Sequence, residues 1–140
     1  MRDFQKKHRS LKRAWAELLT RYPWDHLATL TFKFASTSID FAFKRFENWV
    51  TGLCRISQRA IHWAAFPEYT HVKKAHLHVL MMGTGGIRED LMEGRWRLRN
   101  GLYVKVEPFE ADRGAEAYVT KMITSEFSEG RFSPRFPPAS

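Results

Sequence analysis

At 140 residues, 44% of them hydrophobic and including eleven Phe and five Trp, the chain has the length and apolar material for one domain around a single core, which excludes wholesale disorder. The net charge is +8, and residues 1–21 hold seven Lys/Arg (Arg2, Lys6, Lys7, Arg9, Lys12, Arg13, Arg21) against Asp3 and Glu17, so a polyanion such as nucleic acid is a better partner than an acidic metabolite. The single cysteine, Cys54, excludes an intrachain disulfide and a Cys-based zinc cluster, and the lack of a long apolar run or a signal-type stretch leads us to expect a soluble, intracellular protein with no membrane partner.

Phe4, Leu11, Trp15 and Leu18 form one helical stripe, so residues 1–21 are expected to be a basic N-terminal helix rather than a presequence. Tyr22-Pro23-Trp24-Asp25 breaks that pattern, and 26–34 then alternates as a first strand. Ser36–Ser38 offers N-caps, with Thr37 and Asp40 spaced as in a capping box, and Ile39, Ala42, Phe43, Phe46, Trp49, Val50 and Leu53 follow at helical spacing. Ala60–Tyr69 and Lys74–Met82 read as antiparallel strands joined by a short loop. Gly83-Thr84-Gly85-Gly86 ends that hairpin, Ile87–Arg97 reads as a short helix, and Leu102–Glu107 as a fourth strand.

The order β-α-β-β-α-β is that of an α+β fold of the split βαβ (ferredoxin-like, RRM-like) kind: a four-stranded antiparallel sheet with helices on one face. A last helix, about 113–127, carries Ala115, Val119, Met122 and Ile123 as its apolar stripe, with Tyr118 and Lys121 along the edge, and could cover the other face. The expected division is a single domain over 1–127, with its core at 26–127, and a flexible tail or linker at 128–140, where the chain turns to Ser, Gly and Pro.

His76 and His78 stand two apart on a strand, so their imidazoles project from one face. Alone, such a pair is commonplace. A hairpin centred near Val72, however, places Glu68 directly opposite His76, so that two imidazoles and a carboxylate converge with coordination positions left open. Those ligands suit Mn²⁺ or Mg²⁺ and also Zn²⁺. His71, in the loop, is a weaker candidate. Three ligands with open positions argue against a purely structural site, and the usual His-x-carboxylate pattern of a non-haem iron oxygenase is absent around this triad. On the final helix Tyr118 and Lys121 are three apart, so a phenol and an ammonium reach the same spot. By themselves they read as a core-edge tyrosine and a solvated lysine; beside a metal triad they read as an attacking group and a stabiliser of charge.

With these motifs in order, the chain resembles the HUH endonuclease superfamily, especially the rolling-circle replication initiators of small circular genomes. Leu27-Ala28-Thr29-Leu30-Thr31-Phe32 is similar to the first motif, a hydrophobic strand with threonines; His76-Leu77-His78 to the His-hydrophobic-His signature; and Tyr118-Val119-Thr120-Lys121 to the Tyr-x-x-Lys motif. The resemblance covers about 26–127. It implies Tyr118 as nucleophile, His76, His78 and Glu68 as ligands of a divalent ion, and Lys121 beside the phosphate. It also implies nicking and rejoining of single-stranded DNA through a 5′-phosphotyrosine, with single-stranded DNA or an origin hairpin as partner and a host helicase as a further one. Met122 stands where a two-tyrosine enzyme would place its second tyrosine. The basic first helix is not a general part of the family pattern, and these 140 residues include no helicase segment of the kind many such initiators carry.

Lys33, Lys73, Lys74, Arg95, Arg97, Arg99, Trp63 and Trp96 are available to grip such a strand by charge and stacking. A single-tyrosine transposase, expected to act as a dimer, and a plasmid relaxase share the same chemistry. A non-catalytic nucleic-acid-binding module of the RNA-recognition type shares the fold. Against that module, Leu27–Phe32 and Leu102–Glu107 lack its Gly-aromatic pattern, and the Glu68, His76, His78 set would have no purpose in it.

Overall fold

The computed structural model describes residues 13–33, 38–69, 75–101, 103–113, 130–134 and 136. The chain divides into two compact units. Of the smaller, the described parts are a helix over residues 13–21 (α1), in which Trp15 and Leu19, one turn apart, are buried, and a short 3₁₀ turn, Ala111–Arg113. Residues 1–12 and 114–129, including most of the final helix expected from the sequence, lie outside the described residues.

The larger unit is α+β. Its elements run β1 (His26–Thr31), α2 (Ile39–Ser57), β2 (His62–Tyr69), β3 (Ala75–Met82), α3 (Glu89–Arg99), β4 (Val104–Pro108) and β5 (Arg131–Phe132). All neighbouring strands are antiparallel, in the order β4-β1-β3-β2-β5. Strand β3 therefore lies in the middle of the sheet, hydrogen-bonded on both sides.

Alternation along each strand sorts the side chains. Ala28 and Leu30, Trp63 and Ala65, Leu77, Val79 and Met81, and Val104 and Val106 belong to one core cluster with Phe43, Phe46 and Trp49 of α2 and Met92 and Trp96 of α3. Each fully buried large side chain of this kind contributes roughly 1.5–3 kcal/mol relative to an exposed one. Two indoles also lock the layer through hydrogen bonds: Trp49 Nε1 donates to Met92 O (3.0 Å), and Trp96 Nε1 to Thr31 O (2.9 Å).

Helix α2 buries Ala42, Phe43, Phe46, Trp49, Val50 and Leu53, the spacing that the sequence predicts. Its start differs from the Thr37–Asp40 capping box: the N-cap is Ser38, whose Oγ accepts from Phe41 N at 3.1 Å, while Asp40 sits favourably in the first turn. It stops at Gln58, in the left-handed conformation (φ 56°), whose N–H reaches back to Cys54 O.

The segment 128–140, read from sequence as a tail or linker, contains a fifth strand. Arg131–Phe132 pairs with Ala64–Ala65 of β2. Beyond it Trp63 N donates to Ser133 Oγ and Ser133 N to Trp63 O, both at 3.0 Å. Phe132 meets Phe66 edge-on and stacks on Phe136, which stacks in turn on Trp24. Proline and glycine content pointed to a linker, yet Phe132 and Phe136 give the segment apolar surface to bury against the sheet. Among the described residues no helix is long and apolar enough to cross a membrane.

Candidate functional site

The sheet face turned away from α2 and α3 carries the polar residues that the sequence singles out. Strand β2 faces β3 in the register Phe66↔His78 and Glu68↔His76, and β1 faces β3 from the other side with Thr29↔His78 and Thr31↔His76. Residues paired in this way share a face, so Glu68, both histidines and both threonines of Leu27–Phe32 project together. Lys105 of β4 lies opposite Thr29 and continues the row, forming an ion pair with Glu107 at 3.1 Å. The threonine Oγ of Thr31 donates to the carbonyl of Tyr103, an exposed tyrosine just before β4. Lys105 and Tyr103 were not singled out from sequence; pairing across two strands, not spacing along one, brings them here.

Within this face Glu68 Oε2 and His78 Nε2 are 3.1 Å apart, with side chains 19% and 10% exposed. An ionised carboxylate only accepts, so the imidazole Nε2–H is the donor. Glu68 thus sits across from His76 in the backbone while its carboxylate reaches diagonally to His78. Among the described residues no three His, Cys, Asp or Glu side chains are gathered as a metal-holding group; what the strands bring together is this pair, with His76 adjacent on the same face.

The donor set nevertheless fits a divalent ion. Two ligands each about 2.1 Å from one ion, at tetrahedral to octahedral angles, stand roughly 3.0–3.4 Å from one another. The Glu68–His78 separation of 3.1 Å falls in that interval, although the imidazole and carboxylate would have to turn off their hydrogen-bond line to aim both lone pairs at one ion.

Several expected site residues fall elsewhere. Tyr118, Lys121, His71, Lys73 and Lys74 lie outside the described residues. Trp63 and Trp96, expected to stack on bases, are 4% and 0% exposed and belong to the core, so neither offers a ring face to a ligand. Their hydrophobic-face parity on β2 and on α3 overrides the attraction of an aromatic among basic residues. Arg95, Arg97 and Arg99 are exposed on α3, on the helix side of the sheet and not on the histidine face; Lys33 is exposed after β1.

A second polar cluster, invisible in sequence because its members are far apart in the chain, ties β1 to the start of α3. Buried His26 contacts Thr84 Oγ1 through Nδ1 (2.6 Å) and Glu89 Oε1 through Nε2 (3.0 Å). Since the carboxylate accepts, Nε2 carries the proton, and in the neutral ring Nδ1 accepts from the Thr84 hydroxyl. Glu89 is held below the usual carboxylate range, first by its own backbone N–H and then by the His26 imidazole. Asp25 Oδ2 accepts from Gly83 N and Thr84 N, at 2.7 and 3.2 Å, which fixes the turn after β3. Thr84 and His26 are too deeply buried to meet a substrate, so this cluster shapes the scaffold.

Comparison with family models, with curated proteins and with solved structures returns no match.

Proposed function

We propose that the protein is a metal-dependent, single-tyrosine endonuclease of the HUH kind, which nicks single-stranded DNA and holds one new end covalently. The observation that carries this reading is the register that sets Glu68 opposite His76 and in contact with His78, beside the threonines of the first motif. The strand order β4-β1-β3-β2, linked through α2 and α3, supports a split βαβ core, with β5 as an addition at its edge.

Glu68, His76 and His78 would hold a divalent ion, Mn²⁺ or Mg²⁺ with Zn²⁺ as an alternative; when bound, it supplies charge neutralisation at a nonbridging phosphate oxygen. The Tyr118 oxygen attacks phosphorus, forming a 5′-phosphotyrosine as the bond to the 3′-oxygen breaks; the phenol proton is lost to solvent and the leaving oxygen gains one. Lys121 steadies the phosphate. Reversal by a 3′-hydroxyl rejoins the strand without ATP, because the phosphotyrosine retains the energy of the bond. Initiation of rolling-circle replication is the role that the resemblance favours, with transposition or conjugative relaxation as uses of the same chemistry.

The test is incubation of the purified chain with labelled single-stranded oligonucleotides from its own replicon, with Mn²⁺ or EDTA, read on denaturing gels. A covalent adduct that needs metal and is lost in Tyr118→Phe, but kept in Tyr103→Phe, supports the reading. Loss in Tyr103→Phe alone would move the nucleophile to the residue that precedes β4. Binding without adduct on a panel holding the true site would leave a nucleic-acid-binding module.

A further inference from the structure

On the helix side of the sheet, α2 and α3 border a groove of about 430 Å³ whose lining, among the described residues, contains Arg45, Arg55, Arg95 and Arg99 and no carboxylate. We propose that this groove binds the phosphate backbone of duplex DNA, independently of base sequence and separately from the histidine face.

Three observations carry this assignment. Among the described residues Arg55, Arg95 and Arg99 have no carboxylate partner, whereas Arg88, Arg97 and Arg131 each have one within 4.0 Å. Unneutralised guanidinium groups facing one groove repel each other and are relieved by an anion, for which their planar forks are suited. Arg95 is also given room: a Cβ at Gly52 would lie 2.8 Å from its guanidinium, so the glycine lets the α3 side chain lie across α2. Finally, Asn100 in the same lining is 6% exposed, and its amide oxygen has no hydrogen-bond partner. That oxygen is itself closed to solvent, so the amide must turn toward the groove to bring its N–H donors to a phosphate oxygen.

The dimensions and lining select the occupant. Arg45 and Arg55 are ten residues apart on α2, about 15 Å along the helix axis, which is too spread for one phosphate and suits a polymer. Single-strand grooves add exposed aromatic rings for stacking. Among the described residues the only ring in the lining is Trp49, 6% exposed and with its indole N–H committed to Met92 O, so the contacts are to backbone alone. A duplex flanking a nick site would meet the protein here, so the groove goes beyond the nicking chemistry and does not depend on it.

The experiment is fluorescence-anisotropy titration of the full chain with a short duplex of arbitrary sequence across a salt series. Arg95→Gln/Arg99→Gln should weaken binding roughly tenfold near ~0.1 M salt and reduce the slope of log K against log salt by about two. Arg55→Gln alone should reduce that slope by about one. The control Arg59→Gln/Arg88→Gln, of equal charge change, should shift affinity far less. Equal losses for both double variants, or no duplex binding by the wild type, would overturn the proposal. Adduct formation plays no part in this titration, so failure of the nicking reading and failure of the groove are told apart.

Discussion

The carboxylate of Glu68 lies 3.1 Å from the imidazole of His78, although in the strand register it is His76 that stands opposite Glu68. The carboxylate therefore contacts the histidine on the diagonal, while the one directly opposite shares its face through the strand pairing. Glu68→Gln keeps the shape and an acceptor but removes the charge. We expect it to weaken Mn²⁺ binding at least ~10-fold in calorimetric titration, with the fold retained by circular dichroism. Unchanged Mn²⁺ affinity would remove Glu68 from the proposed metal site.

The Glu89 carboxyl is held below its ordinary range in the folded chain, so the interaction contributes stability above the unfolded carboxylate pKa and loses it as pH falls through the lower folded value. The start of α3 should consequently loosen on acidification below about pH 4.5, the ordinary value for this group. Glu89→Gln should flatten that part of the pH profile. Urea midpoints measured across the acid range for both proteins check this; parallel profiles would show that Glu89 is not responsible.

Gly83 has φ of 89°, and a Cβ there would collide with the carbonyl of Ala60. Both the left-handed backbone and the close approach require glycine. Gly83→Ala should destabilise the sheet unit by about 2–4 kcal/mol, read from urea unfolding, while Gly86→Ala, which meets nothing within 4 Å, should cost under ~1 kcal/mol.

Ser133 and Trp63 exchange two hydrogen bonds where the chain returns to the edge of β2. Ser133→Ala leaves the buried Trp63 N–H without its acceptor, at a cost of about 1–3 kcal/mol. Hydrogen exchange at the Trp63 amide should accelerate in step with that loss. An unchanged exchange rate would mean that β5 does not hold the edge.

Much of the sheet was legible because alternation and helical spacing are local signals. The strands around His26–Thr31 and Ala75–Met82 and the apolar face of α2 appear where their periodicities put them. A hairpin centred near Val72 requires Glu68 to face His76, which is the observed register. Less legible were features that depend on distant partners. Trp96 lies between two arginines in the chain and Trp63 in an aromatic, β-prone run, yet helix phase and strand parity send both into the core. His26, Thr84 and Glu89 meet across more than fifty residues of sequence, with no motif to mark them. The pairing of Arg131–Phe132 was hidden by proline and glycine around it, which describe chain stiffness but not what aromatic neighbours will bury. Arg45 and Arg55 were overlooked beside Arg95 and Arg99 because a groove belongs to two helices at once.

Strand β3 carries both histidines and has an antiparallel neighbour on each side, β2 along Ala75–Met82 and β1 along residues 76–81. A segment so placed has no local way to open; its amides are expected to exchange with solvent only when the whole sheet unit unfolds. The backbone positions of both histidines are thus fixed in advance, which would leave little reorganisation for the binding step of the proposed nuclease. The two histidines should then keep their spacing until global unfolding.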